Sequence, residues 1–503
     1  MSPSRVAPAA WLAERLGPPS LVLVAGLWML HKRQGFLVDD AYISFRYAVS
    51  FAHGHGLVWN AGVPLEGYTN LLWVLLLVPF ARVGLDLTLP SLVGSLGFAL
   101  GTVELLRRIS RRLRPEASWF DHLMPGLLLA CIPSFAHAAT SGMEGPCFGF
   151  LVLLAIDQLV RGREEPRRRI WAALFLALAY LARPEGALVT AILVLCELWQ
   201  LEGPLVARVS ALAPVALLPG VVVVLHVAAR LVYYGYPLPN TFYAKVILGP
   251  ASLSRGMQHF AGFLLAGGWL ALPGLFELRR EGPLRPWLLH GWVLAAVYVT
   301  YLVVVGGDHP VWYRFYVPLL PLPLLATSAI GARKPVVTSA VALASFSVSV
   351  RFAEPIASVF ASVDDRLNRS VAEVDRFFRD EAPKDGFVAA AAVGYFGYRH
   401  PDLFVLDIWG LNDAHIAHLK LPASVKFGHD KTDLAYVAAQ KPDYLLLPSP
   451  GTAPRIPGYE LCAPSRFDPA LVYRRTTVLA PNEANLGLPP GRSRNRGPLP
   501  SCL

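Results

Sequence analysis

The stretch Asp39-Asp40-Ala41-Tyr42-Ile43-Ser44-Phe45-Arg46-Tyr47 lies just beyond the first apolar segment of a chain that is 54% hydrophobic and only 16% charged. Two adjacent carboxylates at a membrane edge are expensive to desolvate, so their default reading is functional. A second polar cluster, Glu66-Gly67-Tyr68-Thr69-Asn70, follows before the next long apolar runs. So little charge over 503 residues is unusual for a water-soluble protein, and apolar runs recur as far as residue 352. The chain therefore reads as a polytopic α-helical membrane protein.

Spans are expected at 11–31, 89–106, 122–139, 146–160, 170–182, 187–200, 210–232, 258–276, 286–305, 314–332 and 335–352, about eleven in all on length and hydropathy. The runs 146–160 and 170–182 are short enough for a ~30 Å core to be partial spans. Charge decides the status of 71–84. With that segment lying in the interface, the basic loops at Arg107–Arg114, Arg161–Arg169, Arg279–Arg285 and Arg333-Lys334 all fall on the inner side. The net charge of +10 is thus a topological bias and not a surface for nucleic acid. Arg5 and Arg15 precede the first apolar run with no small-residue cleavage site, which reads as an uncleaved anchor. His31-Lys32-Arg33 falls near the outer face, where long basic side chains snorkel to headgroups.

Residues 1–352 form the expected transmembrane domain, with an outer first loop at 32–88. Residues 353–480 read as a small extracytoplasmic α/β domain. It has a helix at Val371–Glu381, strands at Phe387–Val393, Leu403–Leu406 and Tyr444–Leu447, and a helix at Asp433–Gln440. That alternation predicts a partly parallel, Rossmann-like sheet, and no glycine fingerprint assigns it a dinucleotide. Residues 481–503, rich in Pro, Gly and Arg, have the composition of a disordered tail. Cys131, Cys147 and Cys196 read as core packing, while Cys462 and Cys502 can pair outside the membrane.

On this arrangement the unusual polar residues gather at the outer face. The first loop brings Asp39, Asp40, Glu66, Tyr68 and Asn70. The turns of neighbouring spans bring Glu144, Arg183 and Glu185, and the later loops bring Asn240, Tyr243, Lys245, Asp308, His309 and Arg314. Such convergence suits a sugar hydroxyl and a lipid phosphate. A carboxylate can take the hydroxyl proton, and a departing phosphate needs Arg, Lys or backbone donors. Nearby negative charge favours an oxocarbenium-like centre. Asp39 and Asp40 are the candidate bases, Asp40 slightly preferred, and Arg183 with Lys245 and Arg314 is the candidate phosphate cradle.

Each residue has a plainer role beside this one. Asp39 or Asp40 can cap the following helix, Ala41–Phe51. Arg46 can pair with an aspartate, and Arg183 with Glu144 or Glu185. Glu144 can be an interface residue, and Asn240 and Thr241 can be turn chemistry. His53 and His55 form only a two-ligand pattern, too little for a metal site.

The first-loop residues, with Gly54-His55-Gly56-Leu57-Val58-Trp59-Asn60, resemble the opening of the terminal β-(1→2)-arabinofuranosyltransferases of mycobacterial cell walls, which are class C glycosyltransferases. The likeness continues through Ser141–Glu144, Arg183–Gly186, Pro239–Lys245, Gly306–Asp308 and Asp407–Asp413, which adds Asn412 and Asp413 to the candidates, as the first loop adds Arg46. The resemblance implies an inverting transfer of a sugar, arabinofuranose being one candidate, from a polyprenyl-monophosphate donor to a glycan of the cell envelope. It places a first-loop aspartate as base on the outer face of a bacterial inner membrane. No cofactor is assigned, and a divalent cation is left open. His309 and His53 depart from the family pattern, and because relatives of the family occur outside arabinan-making bacteria, some named for motility control, the sugar does not transfer with the motif. The alternative is a non-catalytic scaffold or motility-associated protein of the same fold. A transporter ranks last, because the charges sit at one face with no internal repeat.

Overall fold

The computed structural model describes residues 17, 19–27, 37–308, 313–331, 373–383, 386–421, 431–448, 455–462, 470–480 and the isolated positions 483, 488, 489 and 499. Expectations about His31-Lys32-Arg33, His309, the span 335–352 and most of the tail lie outside these residues.

Helices α1 (Asp39–Ala52) and α2 (Leu71–Arg82) belong to the first loop. At 1.5 Å per residue the 12 residues of α2 cover about 18 Å, short of a ~30 Å core, in keeping with an interfacial position. Helix α3 (Thr88–Leu113) is followed by α4 (Trp119–Ala130) and α5 (Pro133–Ala139), bent by 79° where Pro133 cannot continue the helix. Three helices follow that run back and forth, α6 (Gly145–Arg161), α7 (Arg168–Ala182) and α8 (Gly186–Gln200). The longest, α9 (Leu205–Tyr234), stops at Gly235, whose φ of 80° gives the left-handed cap that glycine accepts without penalty. Short α10 (Asn240–Lys245) leads to α11 (Pro250–Leu265), which bends by 85° into a 3₁₀ helix at Gly268–Arg279. Helix α12 (Arg285–Val304), a 3₁₀ turn at Arg314–Leu319 and α13 (Pro321–Gly331) complete the bundle.

Among the described residues, three helices are long and apolar enough to cross a membrane, α3, α9 and α12, or up to five if each bent pair is one span. The expected count of eleven is not confirmed among the described residues, which leave out 335–352 and much of 11–31. Helices α6, α7 and α8 have 17, 15 and 15 residues, and proline and glycine divide the runs 122–139, 258–276 and 314–332.

The α/β part contains β1 (Phe387–Ala390), α14 (Val393–Arg399), β2 (Phe404–Asp407), α15 (Ala414–Ala417), α16 (Leu434–Ala439), β3 (Tyr444–Pro448), β4 (Tyr459–Leu461) and β5 (Ala470–Arg475). The strand order is β2-β1-β3-β5-β4. Strand β1 pairs in parallel with β2 and β3, while β5 is antiparallel to β3 and β4. The parallel centre was expected. The antiparallel edge was not, since β4 is three residues long and carries little signal. Strands β1 and β2 are buried along their whole length, as parallel strands covered on both faces should be.

Helix α14 runs beside α1. Between them Tyr42 packs on Tyr395 and Tyr398 with ring centroids 5.0 and 5.8 Å apart, and Phe45 on Tyr398 at 5.4 Å. Aromatic pairs of this kind contribute roughly 0.5–1.5 kcal/mol each beyond area burial.

Candidate active site

Helices α6, α7 and α8 decide where the site lies. Glu144 precedes α6, Arg183 follows α7 and Glu185 precedes α8, so all three meet at one end of these helices. The basic stretch Arg161–Arg169 is at the other end, about 22–25 Å away for helices of 15–17 residues. There Arg112 and Arg161 pair with buried Asp157, and Arg163 with buried Glu197.

At the first end is a cavity of about 200 Å³, bordered by the first loop, by the turns before α6 and after α7, by the α9–α10 connection, by residues 301–308 and by Arg314 and Phe315. Four carboxylates line it, Asp40, Glu144, Glu185 and Asp308, against three cations, Arg183, Lys245 and Arg314. These form two networks.

In the first network Arg314 donates from Nη2 to Asp40 Oδ2 and to Asp308 Oδ2, both at 2.7 Å. Lys245 Nζ lies 3.9 Å from Asp40 and 3.8 Å from Asp308. Burial would raise the Asp40 carboxyl, but Lys245 and Arg314 outweigh it and hold its pKa at about 2. Its side chain remains 30% exposed to the cavity. Arg314 follows Tyr313, a non-glycine residue at φ 52°, and Asp308 follows Gly306 and Gly307 at φ 91° and 70°. Backbone in this region is strained for Tyr313 and is a common accompaniment of functional positions. Arg255, which sequence reasoning missed, donates to the Gly306 carbonyl at 3.0 Å and fixes the turn that presents Asp308.

In the second network Arg183 donates to Glu144 Oε1 at 2.7 Å and to Glu185 Oε1 at 2.8 Å, with its guanidinium 4.3 Å from the Phe315 ring centroid. Asn70 donates to Glu144 Oε2 and to Ser44. Thr241 borders the cavity, and its buried hydroxyl has no hydrogen-bond partner among the described residues.

The other candidates make contacts outside these two networks. Neither Asp39 nor Asp40 caps its own helix, since the N-cap of α1 is Val38 with no side-chain bond. Asp39 instead accepts from the amides of Gly394 and Tyr395 at 3.0 and 2.9 Å, on α14. Arg46 is turned away from the cavity. It donates to the carbonyls of Trp59, Gly397 and Leu403 and to Asn60, with Trp59 beneath its guanidinium. Glu66 makes a buried pair with Arg230 of α9, Nε–Oε2 2.7 Å. Asn240 donates to the carbonyls of Gly410 and Leu411. Asn412 donates to Asp407, whose complete burial pushes its carboxyl up to about 6. Asp413 caps α15 through the Ile416 amide. Tyr243 stacks on His418 at 4.4 Å. Tyr68 borders the cavity and meets Tyr234 with its hydroxyl at 3.3 Å. The contacts of Asp39 and Arg46 join the first loop to the α/β part, and those of Asn240 and Tyr243 join α10 to it.

Arg230 had a readable signal, an arginine inside an apolar run that only a buried partner makes tolerable. Phe315 had none. His53 is exposed and bonds the Val49 carbonyl, and no cluster of three or more metal-ligating side chains occurs among the described residues. Cys131, Cys147 and Cys196 are free and buried. Cys462 is disulfide-bonded, and its expected partner Cys502 lies outside the described residues.

Residues 361–483 match DUF8728, a domain of unknown function. No curated protein matches the chain. Among solved structures, ArnT from Cupriavidus metallidurans, bound to undecaprenyl phosphate, is similar to 93% of this chain over 98% of its own, with 15% identity and a TM-score of 0.61. The chain therefore has an ArnT-like fold, a helical bundle with several helices long and apolar enough to cross a membrane and a small sheet domain.

Proposed function

We propose that the protein is an inverting glycosyltransferase that moves a sugar from a polyprenyl-monophosphate carrier to an extracytoplasmic glycan, with Asp40 as base. The observation that carries this reading is the single cavity in which Asp40 and Asp308 face Lys245 and Arg314. The likeness to a structure holding undecaprenyl phosphate supports the donor class. In the proposed step the acceptor oxygen forms its bond to the anomeric carbon, whose bond to the phosphate oxygen breaks. The hydroxyl proton passes to Asp40, and the bonding pair leaves with the phosphate.

The geometry favours Lys245, ahead of Arg183, as the first contact of the phosphate. Arg183 is enclosed by two carboxylates at hydrogen-bond distance, whereas the nearest carboxylates to Lys245 stand at 3.8 and 3.9 Å. Glu144 and Glu185 outnumber Arg183, leaving that network net negative beside the sugar, where positive charge develops. The proposed orientation puts this cavity outside the cell, because the basic loops occupy the opposite helix ends. The sugar, arabinofuranose included, and the acceptor are not distinguished by these residues.

The test is transfer of labelled sugar from polyprenyl-monophosphate sugars by the purified protein. Asp40→Asn, which keeps the shape, should stay folded and lose roughly 10²–10⁴-fold in rate. Near-normal transfer by Asp40→Asn would refute the assignment. A wild-type protein inactive on every such donor would favour the non-catalytic scaffold.

A further inference from the structure

Asp39 and Asp40 are neighbours on the first turn of α1, yet they hold different parts of the molecule. Asp40 bonds Arg314 in the cavity, and Asp39 takes both the Gly394 and Tyr395 amides of α14. Seven residues on, or about 10.5 Å along α1, Arg46 donates to the carbonyls of Gly397 and His400 at the other end of α14. The acid thus meets the amide end and the base the carbonyl end, the favourable sense for each charge. The approach is close. A Cβ on Gly394 would lie 2.0 Å from the Asp39 carbonyl oxygen, and one on Gly397 would lie 2.5 Å from the Trp59 ring.

We infer that the α/β domain is a positioning element for the cavity, in which α14 grips α1 through Asp39 and Arg46 and so sets where the Asp40 carboxylate stands. The inference rests on the reading of Asp40 as the base. It gives the segment matched by DUF8728 a role in the rate of the reaction and not only in holding an acceptor. Asp39 is a positioning residue, because its carboxylate is occupied by backbone amides of α14.

The experiment compares full-length wild type with Gly394→Ala, which leaves both aspartates in place and pushes α14 from α1. Kinetics of transfer are read together with amide hydrogen exchange over residues 39–47 and the melting temperature. We expect kcat per folded molecule to fall about 10- to 100-fold, the loss typical of a reacting group displaced by an ångström or so. The donor KM should stay within about 2-fold, since donor binding is not touched, and exchange across the first turn of α1 should rise. Asp39→Asn, a milder change that removes the charge and one acceptor, should show the same split to a smaller degree, and decides the matter if Gly394→Ala does not fold. A merely structural contact would lower the melting temperature and leave kcat per folded molecule unchanged, and that result would overturn the inference. Wild type without transfer would overturn the assignment of Asp40 and this inference with it. An active wild type with unimpaired variants would overturn this inference alone.

Discussion

At Asp40 burial and charge act in opposite directions. Burial raises the carboxyl, and Lys245 and Arg314 more than cancel it, so that its pKa falls from an ordinary 3.8 to about 2. A depressed carboxylate contributes stability that is present above pH 3.8 and lost as pH falls through about 2. Asp40 is therefore ionised in the empty cavity throughout the neutral range. As far as Asp40 sets it, the acid limb of kcat/KM, which reports the free enzyme, should lie below about pH 4. A donor phosphate that draws Lys245 and Arg314 to itself removes part of the lowering. The acid limb of kcat, which reports the loaded enzyme, should then stand at higher pH than that of kcat/KM. pH profiles of transfer check this, and coincident limbs would contradict the exchange of partners.

The cations separate in the same way. Lys245→Ala should weaken binding of a polyprenyl phosphate by roughly 10- to 100-fold, the loss of a hydrogen bond to a charged group. Arg183→Ala should act on stability instead, by about 3–5 kcal/mol, because it leaves Glu144 and Glu185 without their cation. Lipid titration and melting curves distinguish the two. The first-loop aspartates were legible in the sequence as unusual, but their division of labour was not. A local capping rule looks a few residues ahead, and the helix that Asp39 caps lies 355 residues further along the chain.

Among the elements, the buried pair of Glu66 and Arg230 joins the first loop to α9. Burial raises the Glu66 carboxyl and Arg230 opposes the rise, so neither partner is comfortable alone. Arg230→Met should destabilise by about 3–5 kcal/mol, and the double change Glu66→Gln with Arg230→Met by clearly less, since no charge is then stranded. Equal loss in the single and double variants, by denaturant unfolding in detergent, would contradict the pairing. Sequence periodicity located α3, α9 and α12 well, because long apolar runs leave little choice in a bilayer. It did not foresee the bends at Pro133 and Gly267-Gly268, where runs of sufficient hydropathy become bent pairs of helices. Hydropathy counts apolar residues and does not register the direction of the chain. In the sheet, the buried runs that became β1, β2 and β3 were readable, while β5 needs its partner β4 to be recognised as an edge.

For the whole molecule the account requires that the cavity and the α/β domain lie on one side and the basic loops on the other. Cys131, Cys147 and Cys196 are buried and Cys462 is disulfide-bonded, so single introduced cysteines can report the sides. An impermeant maleimide should label Asp402→Cys in intact cells and Glu164→Cys only after permeabilisation. The reverse pattern would invert the topology and remove the cavity from the outer face. The expected sidedness rests on charge, since the arginine-rich stretches fall at alternate ends of successive apolar runs. What no charge pattern could show is that the residues at the ends opposite the basic loops close into one cavity with a lysine that is only loosely engaged.

The most direct measurement is a structure of the full-length protein with a polyprenyl monophosphate bound. The account predicts the phosphate in the cavity against Lys245 and Arg314, with Asp40 released from at least one of them and facing the place where the sugar would stand. A phosphate held elsewhere, with the Asp40–Arg314 pair intact, would contradict it.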